Sequence, residues 1–103
     1  NRNIVFDEYE IFTLIKGRNM ISTASYSYKE NVDKAINELK KIKLHNNHRY
    51  VLLFTYKHNI NGTGLDMLSV SNYLDMFPEN ATVFWNIQES SVNQVTLLTS
   101  ISI

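Results

Sequence analysis

Apolar positions recur at helical spacing in three stretches of the chain and at strand spacing in four. Residues 6–16 carry Phe6, Tyr9, Phe12 and Ile15, with Ile11 and Leu14 beside them, behind an acidic first turn of Asp7, Glu8 and Glu10. That spacing and charge predict a helix, which Gly17 stops. Residues 19–27 (NMISTASYS) read as a strand. Lys29 to Lys43 place Val32, Ala35, Ile36, Leu39 and Ile42 on one face, predicting an amphipathic helix that Asn46 and Asn47 break. Residues 49–56 (RYVLLFTY) form a near-continuous apolar run, as expected of a strand buried on both faces. After the loop Asn59 to Gly64, the positions Met67, Val70, Tyr73, Leu74 and Phe77 predict a further helix, ended by Pro78. Residues 81–87 and 94–103 read as strands, the second with Val95, Leu97, Thr99 and Ile101 on one face. The polar residues Gln88 to Asn93 between them suit a hairpin loop.

The order is a helix followed by β-α-β-α-β-β. Strands joined through helices are expected to run parallel. The fold class expected is therefore α+β, a four-stranded, mostly parallel (mixed) sheet with two helices on one face. Residues 1–17 are a lead-in and connecting helix, and 18–103 the α/β sandwich. Asn1 stands where a Met would open a chain, and the alternation from Val95 stops in mid-pattern at Ile103, so a fragment of a larger protein is expected.

Composition narrows the classes. Ten basic and ten acidic residues balance, which argues against non-specific nucleic-acid or anionic-lipid binding. There is no cysteine, so no disulfide framework exists and a reducing, cytoplasmic setting is expected. No apolar run is long enough for a transmembrane helix, so no membrane insertion is expected. His45 and His48 sit three apart with His58 nearby, but no cysteine or carboxylate adjoins the pair, and no metal is assigned. Lys40, Lys41, Lys43, His48 and Arg49 suit a solvated helix end. Trp85, between Phe84 and Asn86 in a strand, suits core or half-buried packing over a base-stacking surface. Asn61-Gly62-Thr63 and Asn80-Ala81-Thr82 match the glycosylation pattern, which is short and arises by chance.

Five segments, NIVFDEYEIF (3–12), MISTASYSYKENVDKAI (20–36), YVLLFTY (50–56), ENATV (79–83) and VTLLTS (95–100), in this order resemble the C-terminal domain of the FtsZ family, in the tubulin superfamily. NIVFDEYEIF, from Asn3 to Phe12, is similar to the family loop Asn-x-Asp-x-Ala-Asp and the helix after it. MISTASYSYKENVDKAI (Met20 to Ile36) and YVLLFTY (Tyr50 to Tyr56) match the next strand, helix and strand. Glu79-Asn80-Ala81-Thr82-Val83 resembles Asp-Asn-Ala-Thr-Val, and Val95-Thr96-Leu97-Leu98-Thr99-Ser100 resembles the closing strand. Ser22, Ala24 and Asn86 stand where relatives carry glycine.

The resemblance implies a domain of a cell-division or cytoskeletal GTPase whose nucleotide is held by another domain. Three glycines, Gly17, Gly62 and Gly64, make no phosphate-binding cluster, so this chain is expected to bind no GTP or other cofactor itself. Its loop is implied to enter the GTP site of the next subunit in a homopolymer, where carboxylates polarise the attacking water. Asn3 matches the family Asn. Val5 falls where the first Asp stands and cannot polarise water, Asp7 replaces the Ala, and Glu8 takes the second Asp's position with a carboxylate one methylene further out. Asn3, Asp7 and Glu8 are the implied catalytic residues, with weakened hydrolysis expected. The same acidic residues also suit a helix N-terminus. The alternative is a small-molecule enzyme or ligand-binding domain of chorismate-mutase-like topology; Arg2, Arg18 and Arg49 are too dispersed to favour its polar pocket. An RNA-binding ferredoxin-like sheet lacks its Gly and aromatic signature here.

Overall fold

The apolar run 49–56 becomes the middle of a five-stranded sheet. The computed structural model describes residues 2–5, 19–59, 62 and 64–102, and at residues 2–5, 19 and 102 the backbone alone. Its elements are β1 (Arg2–Val5), β2 (Asn19–Ser27), α1 (Asp33–Leu39), β3 (Arg49–Tyr56), α2 (Met67–Leu74), β4 (Thr82–Glu89) and β5 (Gln94–Ser102). The helix expected over 6–16 lies outside the described residues. The strand order is β1-β4-β3-β5-β2. β4 is parallel to β1 and to β3, and β5 is antiparallel to β3 and to β2. The expected four-stranded mixed sheet is therefore present as β4-β3-β5-β2, with β1 extending it at one edge. It is not mostly parallel in its pairing, since β5 inserts antiparallel to both β3 and β2 and leaves β3–β4 as the one parallel pair among those four strands.

Alternation along β3 divides its side chains between two layers. Tyr50, Leu52 and Phe54 enter the main core with Ala35, Ile36 and Leu39 of α1 and Val70, Tyr73 and Leu74 of α2, so both helices cover the same face. Val51 points the other way and is buried with Phe84, with Leu53 and Leu98 packed around them. Each fully buried leucine or phenylalanine contributes roughly 1.5–3 kcal/mol.

Two expectations change. Gln88 to Asn93 do not make a hairpin. β3 lies between β4 and β5, and the link crosses its end, with Ser90 N donating to Tyr56 O at 2.8 Å. Crossing one strand needs about 10 Å, within the reach of so short a link. The helix expected from Lys29 to Lys43 covers only Asp33–Leu39. Asn31 Oδ1 accepts from Asp33 N at 2.9 Å and sets its start. At its end Lys41 N and Ile42 N bond back three residues, tightening the chain into turns. α2 starts where Asp66 accepts from Leu68 N and from Ser69 Oγ.

The core holds an aromatic trio in which Tyr50 and Tyr73 meet Phe77 edge-on, with centroids 5.2 and 5.3 Å away. Tyr50 Oη accepts from His45 N at 2.8 Å. Tyr73 Oη is buried without a hydrogen-bond partner. Burial, with Tyr50 adding to it, raises the Tyr73 pKa well above the ordinary tyrosine range. The folded chain thus keeps this proton to higher pH than the unfolded chain. The associated stability is complete below about pH 10 and is lost as pH climbs beyond it. Tyr73→Phe should hold or raise stability near neutral pH, by up to about 1 kcal/mol, and flatten the alkaline loss. Urea unfolding of both proteins at neutral and alkaline pH checks this, and a clear loss at neutral pH would contradict it.

Candidate functional site

Asn3 is not in a loop. It sits in β1, paired with Val83 of β4 between the pairs Arg2–Thr82 and Ile4–Phe84. Asp7 and Glu8 lie outside the described residues. The segment expected to be catalytic therefore begins as an edge strand, beside the start of β4. The Asn3 and Asn80–Val83 stretches, far apart in sequence, are thus neighbours in the sheet.

The histidines separate. His45 and His48 lie with ring centroids 5.0 Å apart and planes tilted by 42° before β3, whereas His58 follows β3 and faces Glu89 at 3.5 Å. An eight-residue strand, about 25 Å long, lies between. Among the described residues no group of three or more His, Asp, Glu or Cys could hold a metal ion. Lys40, Lys41 and Lys43 are exposed, and Lys41 pairs with Glu38 at 3.1 Å on the surface. Trp85 is half-buried against the main core, as its strand position led us to expect. Asn80 N donates to Asn46 Oδ1 at 3.0 Å, tying the loop before β4 to the loop before β3. No described helix is long and apolar enough to cross a membrane.

The polar chemistry gathers at the opposite end of the sheet, where β2, β3 and β4 all finish. A depression of about 300 Å³ opens there, lined by Lys29, Glu30, Lys57, His58, Asn59 and Asn93 among others. Asn93 clasps its parts together. Its carbonyl accepts from Tyr28 N at 3.2 Å, its Oδ1 accepts from Lys57 N at 2.7 Å, and its Nδ2 donates to Lys29 O at 3.5 Å. Tyr28 Oη donates to Thr55 O at 2.9 Å, and burial raises the Tyr28 pKa, so this donor stays protonated. Gly64 closes the floor. Its carbonyl accepts from Val32 N at 2.9 Å, and its φ of 71° belongs to the left-handed region. A Cβ there would run into the Glu30 carbonyl oxygen, so glycine is required on both counts.

This depression was invisible in the sequence. Its lysines look like ordinary surface residues, and Asn93 gains meaning only from partners 36 and 64 residues away. It offers cations and amides to a ligand. Through the described residues, the crossovers from β2 to β3 and from β3 to β4 run in the same direction across the sheet.

Asn93→Ala should destabilise the fold by about 1 kcal/mol through the lost acceptor for Lys57 N. Asn93→Asp keeps that acceptor beside two lysines and should cost less. Chemical denaturation ranks the two, and equal losses would show that the side-chain carbonyl is not what matters.

No protein-family model matches this chain, and no curated protein matches it either.

Proposed function

We propose that this chain is the C-terminal-type domain of an FtsZ-like, cytoplasmic polymerising GTPase. Its segment from Asn3 to Glu8 would complete the GTP site of the next subunit in a homopolymer. The observation that carries this is the pairing of Asn3 with Val83. It brings two of the stretches that resemble the family, the one starting at Asn3 and the one from Glu79 to Val83, side by side at one edge of the sheet. The arrangement of β2, β3 and β4 running one way with β5 reversed among them, under two helices on one face, supports the same domain type.

In this role the domain holds no nucleotide. It would supply a carboxylate to water in a neighbour's site, where phosphoryl transfer depends on positioning the nucleophile. Glu8 is the residue for that task, with Asp7 beside it, because Val5 carries no polar atom. The longer reach of Glu8 and the loss of an acid at Val5 weaken hydrolysis. Nucleic acid and membrane lipid are not partners in this scheme, in keeping with zero net charge. The small-molecule alternative would use the depression around Asn93, whose cationic side chains are all exposed.

The test is phosphate release from GTP by the full-length protein over a series of protein concentrations. The rate per molecule should rise with concentration, and Glu8→Ala should lower it by about a hundredfold. A rate per molecule that ignores concentration, or a Glu8→Ala protein as active as the wild type, contradicts the shared site.

A further inference from the structure

α1 and α2 cover one face of the sheet, yet the opposite face is closed as well. Val51 stands level with Phe84 of β4 and Leu98 of β5, and Ser100 follows Leu98 by two, so all four share that face. Val51, Phe84 and Ser100 are 1%, 6% and 1% exposed. Ser100 Oγ is buried without a hydrogen-bond partner among the described residues. The described apolar side chains packed around Val51 and Phe84 are Leu53 and Leu98, which belong to the sheet itself. Neighbours within a sheet cannot roof a residue, so a second layer lies over these three positions. It does not reach β2, where Ile21, Thr23 and Ser25 share the face by register and are exposed. The buried track runs obliquely across the sheet. It starts one place from the last residue of β1, since Val5 pairs with Trp85. It ends two places from Ser102, the partner of Asn19 at the start of β2.

We propose that the face of the sheet around Phe84, Val51 and Ser100 is the docking surface for this chain's own segment 6–16, which makes the fold three layers deep. The strand order selects that occupant. β1 and β2 run in the same direction at opposite edges, and residues 6–18 join them. The crossovers from β2 to β3 and from β3 to β4 both travel toward the β1 edge, with their helices on one face. The connection from β1 to β2 travels the other way. Crossovers between parallel strands keep one hand almost without exception, and a return journey of the same hand must use the opposite face. The reach agrees. From Val5 to Asn19 is four strands across and five residues back, about 25 Å. Eleven helical residues span about 16 Å, and the links on to Asn19 add roughly 10 Å. The segment brings the apolar residues the surface calls for, with Phe6, Tyr9, Phe12 and Ile15 at helical spacing. This docking rests on strand order and burial and does not depend on the GTP-site proposal.

NMR of the full-length chain with labelled valine and leucine methyls tests the docking. The methyls of Val51, Leu53 and Leu98 should show nuclear Overhauser contacts with the rings of Tyr9 and Phe12. In a mixture of labelled and unlabelled chains these contacts should remain within one molecule. Phe12→Ala should shift the Val51 and Leu98 methyl signals and leave those of Val70 and Leu74, on the other side of the sheet, in place. Contacts from Tyr9 and Phe12 to Val70 or Leu74 would put the segment on the wrong face and overturn the proposal. Contacts seen solely between differently labelled molecules would give the surface to a second copy and overturn it too. So would the absence of any contact to Val51, Leu53 and Leu98, together with a Phe12→Ala protein whose methyl signals there do not move.

Discussion

β5 supplies the hydrogen bonds that attach β2 to the rest of the sheet, because it pairs with β2 on one side and with β3 on the other. β2 and β3 run in the same direction and are joined through α1, yet they do not touch as neighbours. The gap between them is one strand wide, and only a strand of opposite direction arriving from the end of β4 fills it. Val95 and Leu97 then complete the core beneath the helices. Ser25 and Thr96, 71 residues apart, bring their hydroxyls to 2.9 Å in the same seam. Such distant pairing costs loop-closure entropy before any contact repays it. The Asn93 clasp is a consequence of the same route. The chain must cross the end of β3 to reach its slot, and the residue that ends the crossing bonds to both flanking strand ends.

Much of the fold was legible because it is written in local periodicity. The run Tyr50 to Phe54 announced a strand with two buried faces, and Val51 and Leu52 are indeed buried on opposite sides. The spacing of Ala35, Ile36 and Leu39 marked the buried face of α1. What periodicity does not carry is which strand lies beside which. Val95 and Leu97 alternate identically whether β5 folds back on β4 or passes over β3, and six polar residues suit either path. The decision comes from packing, since β3 already has β4 beside it and its other side is open only to a reversed strand. Asn3 reads as loop through a short motif, whereas the β-tolerant Ile4 and Val5 pair with β4 in a non-local event that local sequence does not carry. The candidate depression is equally non-local, since its clasp joins residues from three separate stretches.

Strands β1 and β2 end the described sheet on opposite sides. At the β1 edge, Arg2–Val5 lie beside Thr82–Trp85, and the proposed function places the contact with a neighbouring subunit there. At the other edge lies β2, an uncharged strand of nine residues. A sheet whose order is set by one inserted strand keeps these edges on opposite sides, about four strand spacings or roughly 19 Å apart.

The insertion of β5 between β2 and β3 is what holds these claims together, and NMR of the isotopically labelled chain tests it most directly. Antiparallel strands bring alpha protons of opposite residues close in alternate pairs. Cross-strand alpha-proton contacts should appear within the β3–β5 register that pairs Leu52 with Leu97 and within the β2–β5 register that pairs Ala24 with Leu97. None should join β4 to β5. A ladder of contacts between Phe84–Gln88 and Gln94–Leu98 would mean that the last two strands form a hairpin after all, and would contradict the account.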